Sequence, residues 1–113
     1  RSTASGLRYR LVKEGLGEAR PNPTDTVTIH YTGTFIDGTE FDSSVSRGEP
    51  ATFPLPKLIK GWQEGVPLMT VGDTYEFAIP YHLAYGAKGK GPIPGGATLL
   101  FTIELIGIGG PDQ

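Results

Sequence analysis

The segment 57-KLIKGWQEGVPLM-69 is where apolar residues recur at helical spacing: Leu58, Trp62 and Val66 stand four residues apart until Pro67 ends the pattern. Gly61 and Gly65 lie inside it, and each costs a helix about 0.5–1 kcal/mol relative to alanine. So short a helix with two glycines has no stability of its own in water. It has to be held by packing, and the rest of the chain must supply the surface that holds it.

On both sides the apolar residues alternate instead. Leu7, Tyr9 and Leu11 are spaced by Arg8 and Arg10, and Val27, Ile29 and Tyr31 by Thr28 and His30. Tyr75, Phe77 and Ile79 repeat the pattern around Glu76. Each reads as a strand with one buried face. The run 99-LLFTIELIGI-108 puts Leu99, Phe101, Ile103 and Leu105 on one side, while Leu100 and Ile106 make the other side partly apolar, as a central strand requires. Asp37-Gly38, between Ile36 and Thr39, is a strong hairpin signal because both positions tolerate a positive φ, with Phe41 beginning or within the returning strand. The expected architecture is α+β, a curled antiparallel β-sheet wrapped over one short α-helix and spanning residues 7–108. Residues 1–6 and 109–113 read as flexible tails.

Composition narrows the chemistry. A chain of 113 residues is long enough for one core without metal or disulfide support. Ten basic residues against twelve acidic ones, with the lysines scattered along the sequence, give no footprint for nucleic acid or an anionic membrane. With no cysteine, disulfides, cysteine-ligated zinc and thiol nucleophiles are excluded together. No apolar run approaches the length of a membrane span. The chain opens at Arg1 rather than methionine, which reads as a piece of a longer protein.

The glycine-rich stretch 84-AYGAKGKGPIPGGATLLF-101 does not fit a phosphate loop: Gly86 and Gly91 have the right separation, but Pro92 stands where the lysine is needed and a strand follows. Ser43 and Ser44 follow Asp42, yet neither His30 nor His82 has the surroundings of a triad base. The cluster 37-DGTEFD-42 lacks the ligand order of a calcium loop, and the two histidines are far apart, so no metal or cofactor is expected. What stands out is the aromatic inventory, with Tyr31, Phe41, Phe53, Tyr85 and Phe101 around a single Trp62 flanked by glycines. An open apolar cup floored by an indole suits proline, a rigid ring without an N–H.

Four runs, 29-IHYTGTFIDGTEFDSS-44, 59-IKGWQEGVPLMTVGD-73, 83-LAYGAKGKG-91 and 97-ATLLFTIELI-106, resemble the FKBP-type peptidyl-prolyl cis-trans isomerases. The segments 5-SGLRYRLVKEGLG-17 and 48-GEPATF-53 resemble the bacterial Mip-like class, which commonly carries an additional N-terminal dimerisation region. The resemblance implies an isomerase of X-Pro bonds with Trp62 as floor of the site, and with the Ile59 backbone amide and the Tyr85 hydroxyl binding ligand carbonyls. Asp42 completes the implied catalytic set. Tyr31, Phe41, Phe53, Leu58, Ile93 and Phe101 are the implied walls, and Arg47 pairs with Tyr31 or Asp42. Residues 84–101 resemble the flap over that site, with Tyr85 and Ile93 pointing down and Lys88 and Lys90 at its solvated tip. Implied partners are proline-containing polypeptides and macrolides such as rapamycin or tacrolimus, with the isolated domain a monomer; the Mip-like resemblance favours the periplasm or cell envelope, and the cytoplasm stays open. Ala51, in place of a further aromatic, and the short 54-PLPKL-58 depart from the family pattern. Two other classes stay open on the residues alone: a module that holds proline-containing chains without turnover, and a carbohydrate-binding domain with an aromatic platform.

Overall fold

The computed structural model describes residues 1–109. Eight strands form: β1 (Arg8–Lys13), β2 (Thr26–Phe35), β3 (Glu40–Ser43), β4 (Ala51–Pro54), β5 (Thr74–Ile79), β6 (Gly89–Lys90), β7 (Ile93–Pro94) and β8 (Leu99–Ile108). Six of them make one antiparallel sheet in the order β1-β5-β8-β2-β3, with β4 also paired to β2, and β6-β7 form a separate two-stranded ribbon. The long strand β8 lies between β5 and β2, as its two apolar faces require, and its register sets Tyr31 opposite Ile103 and Gly33 opposite Phe101. Leu99, Phe101, Ile103 and Leu105 turn to one side with Val27, Ile29, Tyr31, Phe77 and Ile79, and all nine are buried. The other side carries Thr32, Thr102, Glu76 and Arg10 along one register row.

The helical segment is shorter than its apolar spacing predicts. Only Lys60–Gly65 is α-helical (α2), preceded by a 3₁₀ turn at Leu55–Lys57 and followed by another at Val66–Leu68. Leu58 caps the first 3₁₀ turn and Val66 opens the second, so of the expected three-residue face only Trp62 lies within α2. The two glycines explain how α2 holds to the sheet. A Cβ on Gly61 would lie 2.5 Å from Ile79 Cγ2, and one on Gly65 would lie 2.6 Å from Phe77 Cε1. Glycine here trades helix propensity for an approach that no larger residue permits.

A second, four-residue helix that the spacing does not announce, α1 (Ser44–Arg47), begins where Ser43 Oγ accepts from the Ser46 N–H at 3.1 Å. It ends at Gly48, whose φ is 80°. The Asp37-Gly38 hairpin joins β2 to β3 through three loop residues, 36–38. Gly38 alone has positive φ, at 90°, while the Asp37 carboxylate accepts from the Thr39 N–H at 2.8 Å. Phe35 N–H bonds to the Thr39 carbonyl across three loop residues, the length that calls for a glycine only at its last position.

Of the segments expected as tails, the first folds back on β1: the Tyr9 N–H reaches the Arg1 carbonyl at 3.0 Å and the Thr3 N–H the Leu7 carbonyl at 2.8 Å. Gly109 donates to the Thr26 carbonyl, and residues 110–113 lie outside the described residues. No helix among the described residues is long and apolar enough to cross a membrane.

Candidate active site

Where α2, β2, β3, β4 and β8 converge, Trp62 is 95% buried and three aromatic rings stand edge-on to its indole. Their centroid distances are 5.2 Å for Tyr31, 5.0 Å for Phe101 and 6.1 Å for Phe53. Phe41 packs edge-on to Phe101 at 5.6 Å. Edge-to-face contacts of this kind match ring edges to the negative ring faces, each worth about 0.5–1.5 kcal/mol beyond area burial. They fix the rings as walls rather than letting them collapse inward. Trp62 Nε1 is buried and has no hydrogen-bond partner among the described residues. A donor left unmet in such a place costs about 1–3 kcal/mol, so an acceptor brought within its reach would be favoured.

The rings enclose a cavity of about 260 Å³. Nine residues named from the sequence line it: Tyr31, Phe41, Asp42, Phe53, Leu58, Ile59, Trp62, Tyr85 and Phe101. Two others stand outside its wall. Ile93 is buried in β7 and packs with the core, and Arg47 sits behind Asp42 on α1. Lys57, which no motif singles out, also lines the cavity, and so does Lys90, expected at the solvated tip of the flap. Lys57 closes the 3₁₀ turn before α2, and Lys90 is the second residue of β6 in the glycine-rich segment.

Local structure delivers the polar group of the wall. The α1 cap carries Arg47 to Asp42, where Nη1 donates to Asp42 Oδ1 at 2.7 Å. The Tyr31 hydroxyl donates to Asp42 Oδ2 at 2.6 Å and accepts from Arg47 Nη2 at 3.0 Å. Burial opposes the charge on Asp42, but the Tyr31 hydroxyl and the Arg47 guanidinium outweigh it and hold the carboxyl below its ordinary range. Burial and the adjacent carboxylate push the Tyr31 hydroxyl up. The triangle is therefore a neutralised unit of phenol, carboxylate and guanidinium. Below it, buried Ser44 accepts the Tyr31 N–H at 2.7 Å and meets His30 Nδ1 at 2.8 Å. His82 Nε2 donates to the Ser5 carbonyl at 2.8 Å. Neither histidine lines the cavity.

A larger and more open hollow of about 610 Å³ lies over the other sheet face, among Arg8, Arg10, Glu76, Thr32 and Thr102. Its charges are partly spent in the Arg10–Glu76 pair, and its three aromatic lining residues, Tyr9, Phe77 and Phe101, stand among Arg8, Arg10 and Glu76 without an indole floor. The aromatic cavity is the better site for an apolar group.

Comparison with known proteins agrees with this geometry. Residues 17–106 match the family model described as FKBP-type peptidyl-prolyl cis-trans isomerase. The chain is 57% identical over 111 residues to the FKBP-type peptidyl-prolyl cis-trans isomerase FkpA of Aeromonas hydrophila, covering 98% of this chain and 41% of that protein. It is 49% identical over 105 residues to the outer membrane protein MIP of Legionella longbeachae, covering 92% of this chain and 45% of that one. The crystal structure of FkpA from Escherichia coli superimposes with a TM-score of 0.90 at 43% identity, over 96% of this chain and 51% of that chain. The chain thus spans about half the length, or less, of these relatives.

Proposed function

This chain belongs to the FKBP-type peptidyl-prolyl cis-trans isomerase family, and from that premise we propose that it accelerates rotation about X-Pro bonds in proline-containing polypeptides. The observation that carries the reading is the aromatic cup: four rings and an indole floor around about 260 Å³, at the small end of ligand pockets and suited to one proline ring.

Resonance resists rotation with a barrier of about 18–20 kcal/mol. No bond to a side chain has to form or break. Lowering the barrier by about 5–7 kcal/mol brings turnover to milliseconds. The planar amide is the more dipolar form and loses more on leaving water, so an apolar enclosure favours the twisted one. Trp62 receives the ring, while Tyr31, Phe41, Phe53, Leu58 and Phe101 exclude water. The Ile59 backbone N–H and the Tyr85 hydroxyl orient the substrate carbonyls. Asp42 has both oxygens engaged, so it serves as a positioning residue that holds Tyr31 and Arg47 in place.

Acceleration of proline-limited folding follows from the same chemistry. The same cup would take the pipecolyl ring of rapamycin or tacrolimus. Ala51, which does not line the cavity, offers such large ligands no further aromatic contact.

The test is a protease-coupled assay on an Ala-Leu-Pro-Phe peptide. Isomerase activity shortens the slow phase in proportion to protein concentration, and an unchanged slow phase would leave only a binding module. Trp62, the sole tryptophan, supplies a second reading. Its emission should change saturably with rapamycin, whereas binding seen by calorimetry without a spectral change would place the ligand elsewhere.

A further inference from the structure

Two of the five lysines, Lys57 and Lys90, stand on segments that sequence separates and the fold brings to one cavity. Lys57 and Lys90 are exposed and yet line the aromatic cavity, so their aliphatic stems lie along its mouth while their ammonium groups stay in water. Among the described residues neither is in an ion pair. Asp42, the acidic residue of the cavity wall, is already matched by Arg47. A chain whose formal net charge is −2 therefore presents uncompensated positive charge at the mouth of its aromatic cavity.

We propose that the site selects X-Pro segments carrying a carboxylate side chain next to the proline, and that Lys57 and Lys90 are the specificity-determining residues. The inference rests on the isomerase reading and names its substrate class. An apolar cup recognises the proline ring but cannot rank its neighbours by charge. Two lysines at the mouth can, by attracting an acidic neighbour and repelling a basic one. Both charges are solvated, so the preference is modest and salt-dependent, about fivefold for the two together.

The experiment compares kcat/KM for peptides that differ only by glutamate or glutamine beside the proline, with one pair varied before the ring and one after it. At low salt the glutamate member of at least one pair is turned over about fivefold faster. The ratio falls towards one in 0.5 M NaCl, by the order of the shortened screening length. It also falls towards one in Lys57→Gln/Lys90→Gln and inverts in Lys57→Glu/Lys90→Glu. Reading a ratio within each variant removes any loss of folded protein from the comparison. Equal rates for glutamate and glutamine in both pairs, or a preference that survives the double glutamine variant, would overturn the proposal. Absence of turnover on the glutamine peptides would instead overturn the isomerase reading on which it stands.

Discussion

Asp42 accepts from two donors at once, and this decides what its removal does. In Asp42→Leu the Tyr31 hydroxyl and the Arg47 guanidinium lose their common acceptor together. Loss of a hydrogen bond of about 1–1.5 kcal/mol at the wall is expected to lower kcat/KM by about tenfold and the thermal midpoint by a few degrees. Activity lost at an unchanged midpoint would show that the carboxylate acts on the amide itself. Because the folded pKa of Asp42 is depressed, its contribution to stability is present above the unfolded value of about 3.9 and is lost as pH falls through the lower folded value. The Tyr31 pKa is raised, so the phenol keeps its proton at neutral pH. His30 and His82 are bonded away from the cavity. The rate constant is therefore expected to be flat from about pH 5.5 to 8, with a solvent isotope effect near one. A bell-shaped profile abolished by replacing His82 in a folded variant would make that histidine a participant. At this scale the sequence shows residue types but not company. The aromatic walls were legible from the family motifs, whereas the meeting of Lys57 with Lys90 depends on segments 33 positions apart and has no local signal.

Strands were the most readable elements because alternation is a local property: β2, β5 and β8 each turn alternate side chains to the core. The spacing of four runs past the helix at both ends, from Leu58 at the cap of one 3₁₀ turn to Val66 at the start of the next, so apolar period alone does not mark where α2 begins and ends. Helix α1 was missed because 44-SVSR-47 has no apolar period and exists through its Ser43 cap. Strand β4 was missed because 51-ATFP-54 is short and bounded by prolines, and only its pairing with β2 makes it a strand. The seating of α2 supports a sharp prediction. Alanine at Gly61 should favour the isolated helix, yet its Cβ would meet Ile79, which is fully buried and cannot withdraw. Gly61→Ala is therefore expected to destabilise the fold by about 1–3 kcal/mol in urea unfolding. An unchanged midpoint would mean that the helix rides farther from the sheet.

The whole molecule is organised around the β2–β8 ladder. It joins Val27 to Ile108 at one end and Phe35 to Leu99 at the other, partners about 80 and about 65 positions apart. With a radius of gyration of 13.3 Å, the fold has the dimensions of one domain of this length. A chain ended at Gly96 has no β8, so β2 and β5 lose their common neighbour and Trp62 loses Phe101. Such a chain is expected to show no cooperative unfolding and a solvent-like Trp62 emission; a cooperative transition would show that β2 can find another partner. The same ladder governs how a newly made molecule matures. Until β8 has been made, Val27, Ile29 and Tyr31 wait beside an unfilled edge, open to any other strand in reach. The aromatic cup is thus complete only once β8 has brought Phe101 against Trp62.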